Sequence, residues 1–215
     1  AAEDMKPYMP YAMGEDVDAE TKQPIEGIPH EMPLWVKPKQ FLSTQDVKDM
    51  MRDHYEGTPM DITEGLGGLP WQMPYRVTPL SYKVDGKEYF NERPISTVQS
   101  SAIYVAQMRD WLPDYIGGVL WFGNDDANMV ALTPIYSCLE SVPDFYSAKH
   151  ANATTFSFRN AYWVCNWVSN MVYYRYDLLF PELKTVRDRL EKDFNSVQDY
   201  MEAKAKEMGE AEGKK

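Results

Sequence analysis

Positive charge is scarce in this chain: 22 Lys and Arg stand against 33 Asp and Glu, a formal net charge of −11. That balance opposes the counterion release that drives nucleic-acid binding and argues against DNA or RNA as a partner. Cysteine is scarcer still. Cys138 and Cys165 allow one disulfide, but they form no metal-ligand spacing and have no paired histidine beside them. The three histidines, His30, His54 and His150, are far apart, and no glycine-flanked serine stands near any of them. A metal-dependent hydrolase is disfavoured for the same lack of ligand spacing.

Long hydrophobic runs are missing too. The longest uncharged apolar-rich stretch, Asn160 to Tyr174, falls short of the roughly 20 residues that cross a bilayer. No membrane span is expected, and the stretch reads as part of a buried helix over 159–179, apolar nearly all round. The first ten residues lack the basic start and apolar run of a signal peptide. A secreted or periplasmic location would therefore require a leader upstream of Ala1.

What is present suffices for one α+β domain with a core: 44% hydrophobic and 13% aromatic residues in 215. Residues 1–40, rich in Pro, Met and acid, show no period and read as an extended arm or loop. Residues 41–209 read as the folded portion, and 210–215 as a frayed tail. Ser43 or Thr44 can cap a helix whose face is Val47, Met50, Met51 and His54, ended by Gly57. The glycine-rich turn at 65–70 fits neither a phosphate loop nor a dinucleotide fingerprint.

Asp85-Gly86 between Tyr82-Lys83-Val84 and Lys87-Glu88-Tyr89-Phe90 predicts a tight hairpin. A three-strand antiparallel meander is expected over 96–108, 117–122 and 129–136. Its first strand carries apolar or small residues on both faces, as a central, doubly covered strand would. Pro181 fits the first turn of a last helix. In that helix Leu183, Val186, Leu190, Phe194, Val197, Met201, Ala205 and Met208 recur at spacings of three and four, so this face is expected to dock and the charged side to be solvated.

Two places carry chemistry. Arg52-Asp53-His54-Tyr55-Glu56 gathers a cation, two carboxylates and an imidazole at a helix end, able to bind a charged substrate terminus or simply to cap the helix with local ion pairs. Arg93, with Ser96 after it, is placed to grip a substrate carboxylate through its planar fork, or to pair with a nearby acid. Asn124-Asp125-Asp126 supplies too few oxygens for calcium and reads as a turn. The six tryptophans read mainly as core, with stacking on ligands as the other use.

Several ordered pieces carry a family likeness. They are Met32-Pro33-Leu34-Trp35-Val36-Lys37-Pro38, Arg52-Asp53-His54-Tyr55-Glu56-Gly57-Thr58 with Asp61, and Arg93-Pro94-Ile95-Ser96. Trp111-Leu112-Pro113 through Gly117-Gly118-Val119-Leu120-Trp121-Phe122-Gly123 follows, then Thr133-Pro134-Ile135-Tyr136 and Phe158-Arg159-Asn160-Ala161-Tyr162-Trp163-Val164. In order, over roughly residues 30 to 195, the chain resembles the later half of the dipeptidase family of N-terminal-nucleophile cysteine hydrolases, relatives of penicillin acylases and bile-salt hydrolases.

The resemblance implies part of a four-layer αββα sandwich with antiparallel sheets. It also implies dipeptide hydrolysis without a cofactor, by a cysteine freed at a mature amino terminus. There the thiolate attacks the dipeptide carbonyl, the cysteine's own α-amino group serves as base, and water releases the thioester. Neither Cys138 nor Cys165 matches that position, so the nucleophile is expected upstream of Ala1. No catalytic residue is then expected in this chain, which alone should be inert. Asp53, His54, Glu56, Arg93 and Ser96 are the substrate-binding candidates. The expected partners are a dipeptide and either the missing amino-terminal half or another copy of the chain. The alternative is a non-catalytic binding or interaction module built on the same fold.

Overall fold

A computed structural model describes residues 6–77, 81–91 and 93–209. The expected frayed tail, 210–215, lies outside them. The chain divides into two units, 1–43 and 44–215. In the first, a 3-10 turn at Lys6–Tyr8 leads into a short helix, α1 (Met9–Ala12). A single antiparallel bridge, Val17 with Pro24, then closes a turn around Asp18. The Asp18 Oδ1 accepts hydrogen bonds from the backbone N–H of Glu20 and Thr21, at 3.0 and 2.6 Å, so this acidic stretch is a capped turn.

The second unit begins with α2 (Thr44–Met50). Val47 and Met51 pack against the core, but the helix ends at Met50, and His54 lies in the loop beyond it and not on the helical face expected of it. Further on, β1 (Ser81–Val84) and β2 (Lys87–Phe90) form the expected hairpin, with Tyr82 opposite Tyr89. Asp85 and Gly86 both have positive φ, 51 and 79°, as a two-residue turn requires to match strand twist.

Three antiparallel strands make the main sheet: β3 (Ala102–Met108), β4 (Gly118–Asn124) and β5 (Thr133–Tyr136). A one-turn helix, α3 (Asp114–Gly117), stands where a turn was expected. The sheet order is β3-β4-β5, so β4 is central and β3 is an edge strand among the described residues, a correction to the expected order. Ile103 and Val105 of β3, with Val119 and Trp121 of β4, face the core. On the opposite face Tyr104 and Met108 are 64 and 76% exposed, so only one side of β3 is covered. Alternating small and aromatic residues do not distinguish a covered face from a bare one.

Two helices close the inner face: α4 (Ala161–Tyr173), and α5 (Tyr176–Met208), whose 33 residues contain Pro181. The break between them falls at Tyr174 and Arg175, so the single helix expected over 159–179 is divided. It is also not buried all round: Trp167, Met171 and Tyr174 are exposed on its outer side. α5 starts five residues before Pro181. Tyr176 is buried there, stacks on Phe180 with ring centroids 4.6 Å apart, and holds the first turns in place. Of the tryptophans, Trp121 is fully buried, whereas Trp35, Trp111 and Trp167 are exposed. Both cysteines are free thiols.

The largest departure concerns α5. Its buried residues are Tyr176, Arg187, Glu191, Gln198, Glu202 and Ala205, mostly polar; of the expected docking face Leu183 and Phe194 do pack against the core and Ala205 is buried, but Val186, Leu190, Val197, Met201 and Met208 are 38 to 56% exposed. Ion pairs decide the orientation: Glu202 meets Arg109 at 2.7 Å and accepts the Tyr136 hydroxyl at 2.7 Å.

Candidate functional site

The loop after α2 is organised by Arg52. Its side chain turns inward, donating from Nε to the Ala127 carbonyl at 2.9 Å and from Nη2 to the Val130 carbonyl at 3.1 Å. The same fork grips both carboxylate oxygens of Glu191 on α5, at 2.5 and 3.1 Å. Glu191 also accepts the Leu132 N–H at 2.7 Å, so the buried pair is satisfied on every side. Beside it, buried Lys48 places Nζ 3.3 Å above the centre of the Trp121 ring. Burial lowers its ammonium pKa, the Glu191 carboxylate resists, Arg52 adds repulsion, and the result is about 8.

With Arg52 pulled in, residues 53–56 form a tight local structure. Asp53 Oδ1 accepts the Tyr55 N–H at 2.7 Å, and Tyr55 sits at φ 65°. Glu56 folds back, one oxygen accepting the His54 N–H at 2.8 Å and the other lying 3.0 Å from His54 Nδ1. Partial burial works against the Glu56 carboxylate, but these hydrogen bonds outweigh it and lower its pKa to about 2. His54 has no exposed surface, and its other nitrogen, Nε2, is buried with no hydrogen-bond partner among the described residues.

The Asp53 carbonyl accepts the N–H of Ser96, at 3.2 Å, which ties this loop to the segment entering β3. Ser96 is fully buried and bonds through Oγ to Asp126, while accepting the Asn128 N–H at 3.1 Å. Tyr173 donates to the second Asp126 oxygen at 2.6 Å, and Asn128 donates to the Tyr176 hydroxyl at 2.7 Å. Arg187 completes the network, donating to the Asn128 carbonyl at 2.6 Å and its side-chain oxygen at 3.0 Å. The Tyr55 hydroxyl reaches the Arg93 carbonyl at 3.5 Å.

All five sequence candidates thus fall in one neighbourhood. They divide by exposure: Glu56 and Arg93 meet solvent, Asp53 is half-buried, and His54 and Ser96 are enclosed. Glu56 lines an open groove of about 600 Å³ whose other walls include Arg52, Asn128, Phe180, Arg187 and Glu191. Arg93 borders a second cavity of about 470 Å³ beside the hairpin, with Ser81, Phe90 and Asn91.

Sequence reasoning missed the polar hub. Asp126, Asn128, Tyr173 and Tyr176 are buried and central, yet Asn124-Asp125-Asp126 reads in sequence only as a turn. Asp125 is buried too, with Asn166 donating to its Oδ1 at 3.1 Å, and burial raises its carboxyl pKa. Only the run of polar or small residues from Gly123 to Asn128, between two apolar strands, hinted at this. Among the described residues no group of three His, Cys, Asp or Glu is placed to hold a metal ion. Cys165 is a poor nucleophile by chemistry: burial, with the nearby Asp125 charge, pushes its thiol up to about 11.

Residues 17–189 match the sequence model of peptidase family C69, a span that contains the loop, Arg93, Ser96 and the polar hub. The chain is 25% identical over 183 residues to "Probable dipeptidase B" of Lactococcus lactis subsp. lactis (strain IL1403), covering 79% of this chain and 34% of that relative. It is 24% identical over 127 residues to "Probable dipeptidase A" of Streptococcus pyogenes serotype M3 (strain SSI-1), covering 59% of this chain and 23% of the relative. The matched regions thus span from about a quarter to a third of the length of these curated relatives.

Proposed function

We propose that this chain, which belongs to peptidase family C69, is the carboxy-terminal half of a cysteine dipeptidase whose nucleophile lies upstream of Ala1. The observation that supports the reading is that Glu56 and Arg93, both exposed and bordering separate cavities, lie on segments tied together by the Ser96 N–H to Asp53 carbonyl bond and by Tyr55 at the Arg93 carbonyl, inside the family-matched span. A dipeptide carries one ammonium and one carboxylate. A carboxylate held ionised by His54 suits the first, and a planar guanidinium suits the second.

His54 and Ser96, being enclosed, act as positioning residues. His54 fixes the Glu56 carboxylate, and Ser96 links the loop to Asp126 and so to α4. The reaction itself would follow the cysteine route: thiolate attack on the dipeptide carbonyl with the cysteine's α-amino group as base, then hydrolysis of the thioester. The high thiol pKa of Cys165 supports placing the nucleophile elsewhere.

In the same reading the bare face of the main sheet, with Tyr104, Met108 and Leu120, seats a second sheet contributed by the amino-terminal half, giving the αββα sandwich. An exposed apolar sheet face of this kind calls for a partner.

The test is to determine the amino-terminal sequence and intact mass of the natural protein, and to assay it on a dipeptide panel before and after thiol alkylation. A cysteine-led segment preceding this chain, with cleavage abolished by alkylation, is the expected result. A product that cleaves no dipeptide overturns the catalytic reading in favour of a binding module.

A further inference from the structure

The long helix α5 turns its polar side inward and leaves an apolar seam outside. Val186, Leu190, Val197, Met201 and Met208 are spaced by four, seven, four and seven residues, while Phe194, between Leu190 and Val197, is half-buried and packs against the core. Residues at these spacings share one side of a helix and repeat every eleven residues, and the seam extends over 22 residues, on the order of 33 Å. The helix already gains its inner contacts through Arg187, Glu191 and Glu202 and through Phe180, Leu183 and Phe194, so the seam is not needed to hold it on the sheet.

The charges beside the seam say what fits it. Arg189, Asp193, Lys204 and Glu207 are all exposed, and Lys204 and Glu207 pair with each other at 3.0 Å. If two copies of α5 are laid antiparallel about residue 198, Arg189 falls opposite Glu207 of the other copy, and Asp193 falls within one residue of Lys204. Each of these contacts then occurs twice, as a two-fold axis demands. A parallel arrangement would set Arg189 against Arg189 and Glu207 against Glu207. Antiparallel packing also opposes the helix dipoles favourably. We infer that the exposed seam of α5 is a self-association surface, on which a second copy of this chain packs its own α5 antiparallel to form a two-fold dimer.

The experiment uses the full-length protein that carries this chain. Sedimentation velocity across the micromolar range should show a dimer. Leu190→Glu should weaken it by at least tenfold without altering the far-UV circular dichroism. Arg189→Glu and Glu207→Arg should each weaken it at low salt, and the double swap should restore it. Because a new charge on a helix can disturb folding by itself, a gentler variant accompanies these. Val197→Cys, near the axis, should form an intermolecular disulfide under mild oxidation, whereas Met208→Cys, about 30 Å from its own mate, should not. A wild-type protein that stays monomeric, a dimer indifferent to Leu190→Glu, or equal cross-linking at both cysteine positions would overturn the inference. The first outcome with a loss of thermal stability in Leu190→Glu would mean that another part of the same polypeptide covers the seam.

Discussion

Arg52 and Glu191, 139 residues apart in sequence, meet in a two-pronged pair that closes the loop after α2 onto the long helix. Both are buried and both have their remaining hydrogen-bonding capacity filled by backbone groups. The pair sets the position of residues 53–56, and with them the exposed Glu56. Removing one partner strands a buried charge. Arg52→Ala or Glu191→Ala is therefore expected to destabilise the protein by about 3–5 kcal/mol, read as a lower urea midpoint at unchanged slope. The apolar pair Arg52→Met with Glu191→Leu should recover much of that loss. Equal damage from the single and double variants would show that the ion pair contributes net stability beyond satisfying itself.

Lys48 gives stability a pH dependence on the alkaline side. Its pKa falls from 10.5 in the unfolded chain to about 8 in the folded protein. Between those values the unfolded chain holds a proton that the folded protein has released, so stability rises with pH across the window, and the cost is fully present below pH 8. The change is on the order of 3 kcal/mol at about 1.4 kcal/mol for each pH unit. Lys48→Met should flatten this rise in denaturation curves taken at pH 7.5, 9 and 10.5.

Glu56 acts in the opposite sense. Its folded pKa, about 2, lies below the ordinary 4.5, so its stabilising contribution is present above pH 4.5 and is lost as pH falls through 2. If the full-length protein is the dipeptidase proposed, Glu56→Gln should raise its KM about 10- to 100-fold, the loss of one charge-assisted hydrogen bond of about 1.5–3 kcal/mol. Dipeptides with a free amino terminus should suffer most, and N-acetylated ones little. An equal effect on both classes would remove Glu56 from ammonium recognition.

Arg93→Lys keeps the charge but loses the planar fork. On the proposed dipeptidase reading, KM for dipeptides with a free carboxylate should rise about tenfold while carboxamide analogues respond little. Carboxamides that lose as much as the free acids would place Arg93 outside carboxylate binding.

Cys165, with a thiol near pKa 11, should be alkylated by iodoacetamide at pH 7.5 roughly 300-fold more slowly than an ordinary cysteine, from its smaller thiolate fraction. Peptide mapping by mass spectrometry follows the site directly, and Cys165→Ser should leave the proposed dipeptide cleavage by the full-length protein intact. Rapid modification at Cys165 that tracks loss of activity would instead make this thiol part of the chemistry.

What the sequence by itself determined was local or repeated along the chain. The Asp85-Gly86 hairpin needs only two residues able to take positive φ between strand formers, and the antiparallel strands between Ala102 and Tyr136 follow from alternation and turn residues. The family-like pieces could likewise be read in order. Even the grouping of Asp53, His54 and Glu56 was legible, because it needs only neighbours. Tertiary structure alone decided that His54 and Ser96 are enclosed, that Asp126 joins Ser96 to Tyr173, and that α5 buries Glu191 and Glu202 instead of Leu190 and Met201. The reason is that hydrophobic period measures how apolar each helix face is. It carries no information about whether a buried guanidinium from another part of the chain waits opposite a carboxylate. Where Arg52 and Arg109 supply such partners, charge pairing chooses the inward face, and the apolar seam is left for another surface to cover.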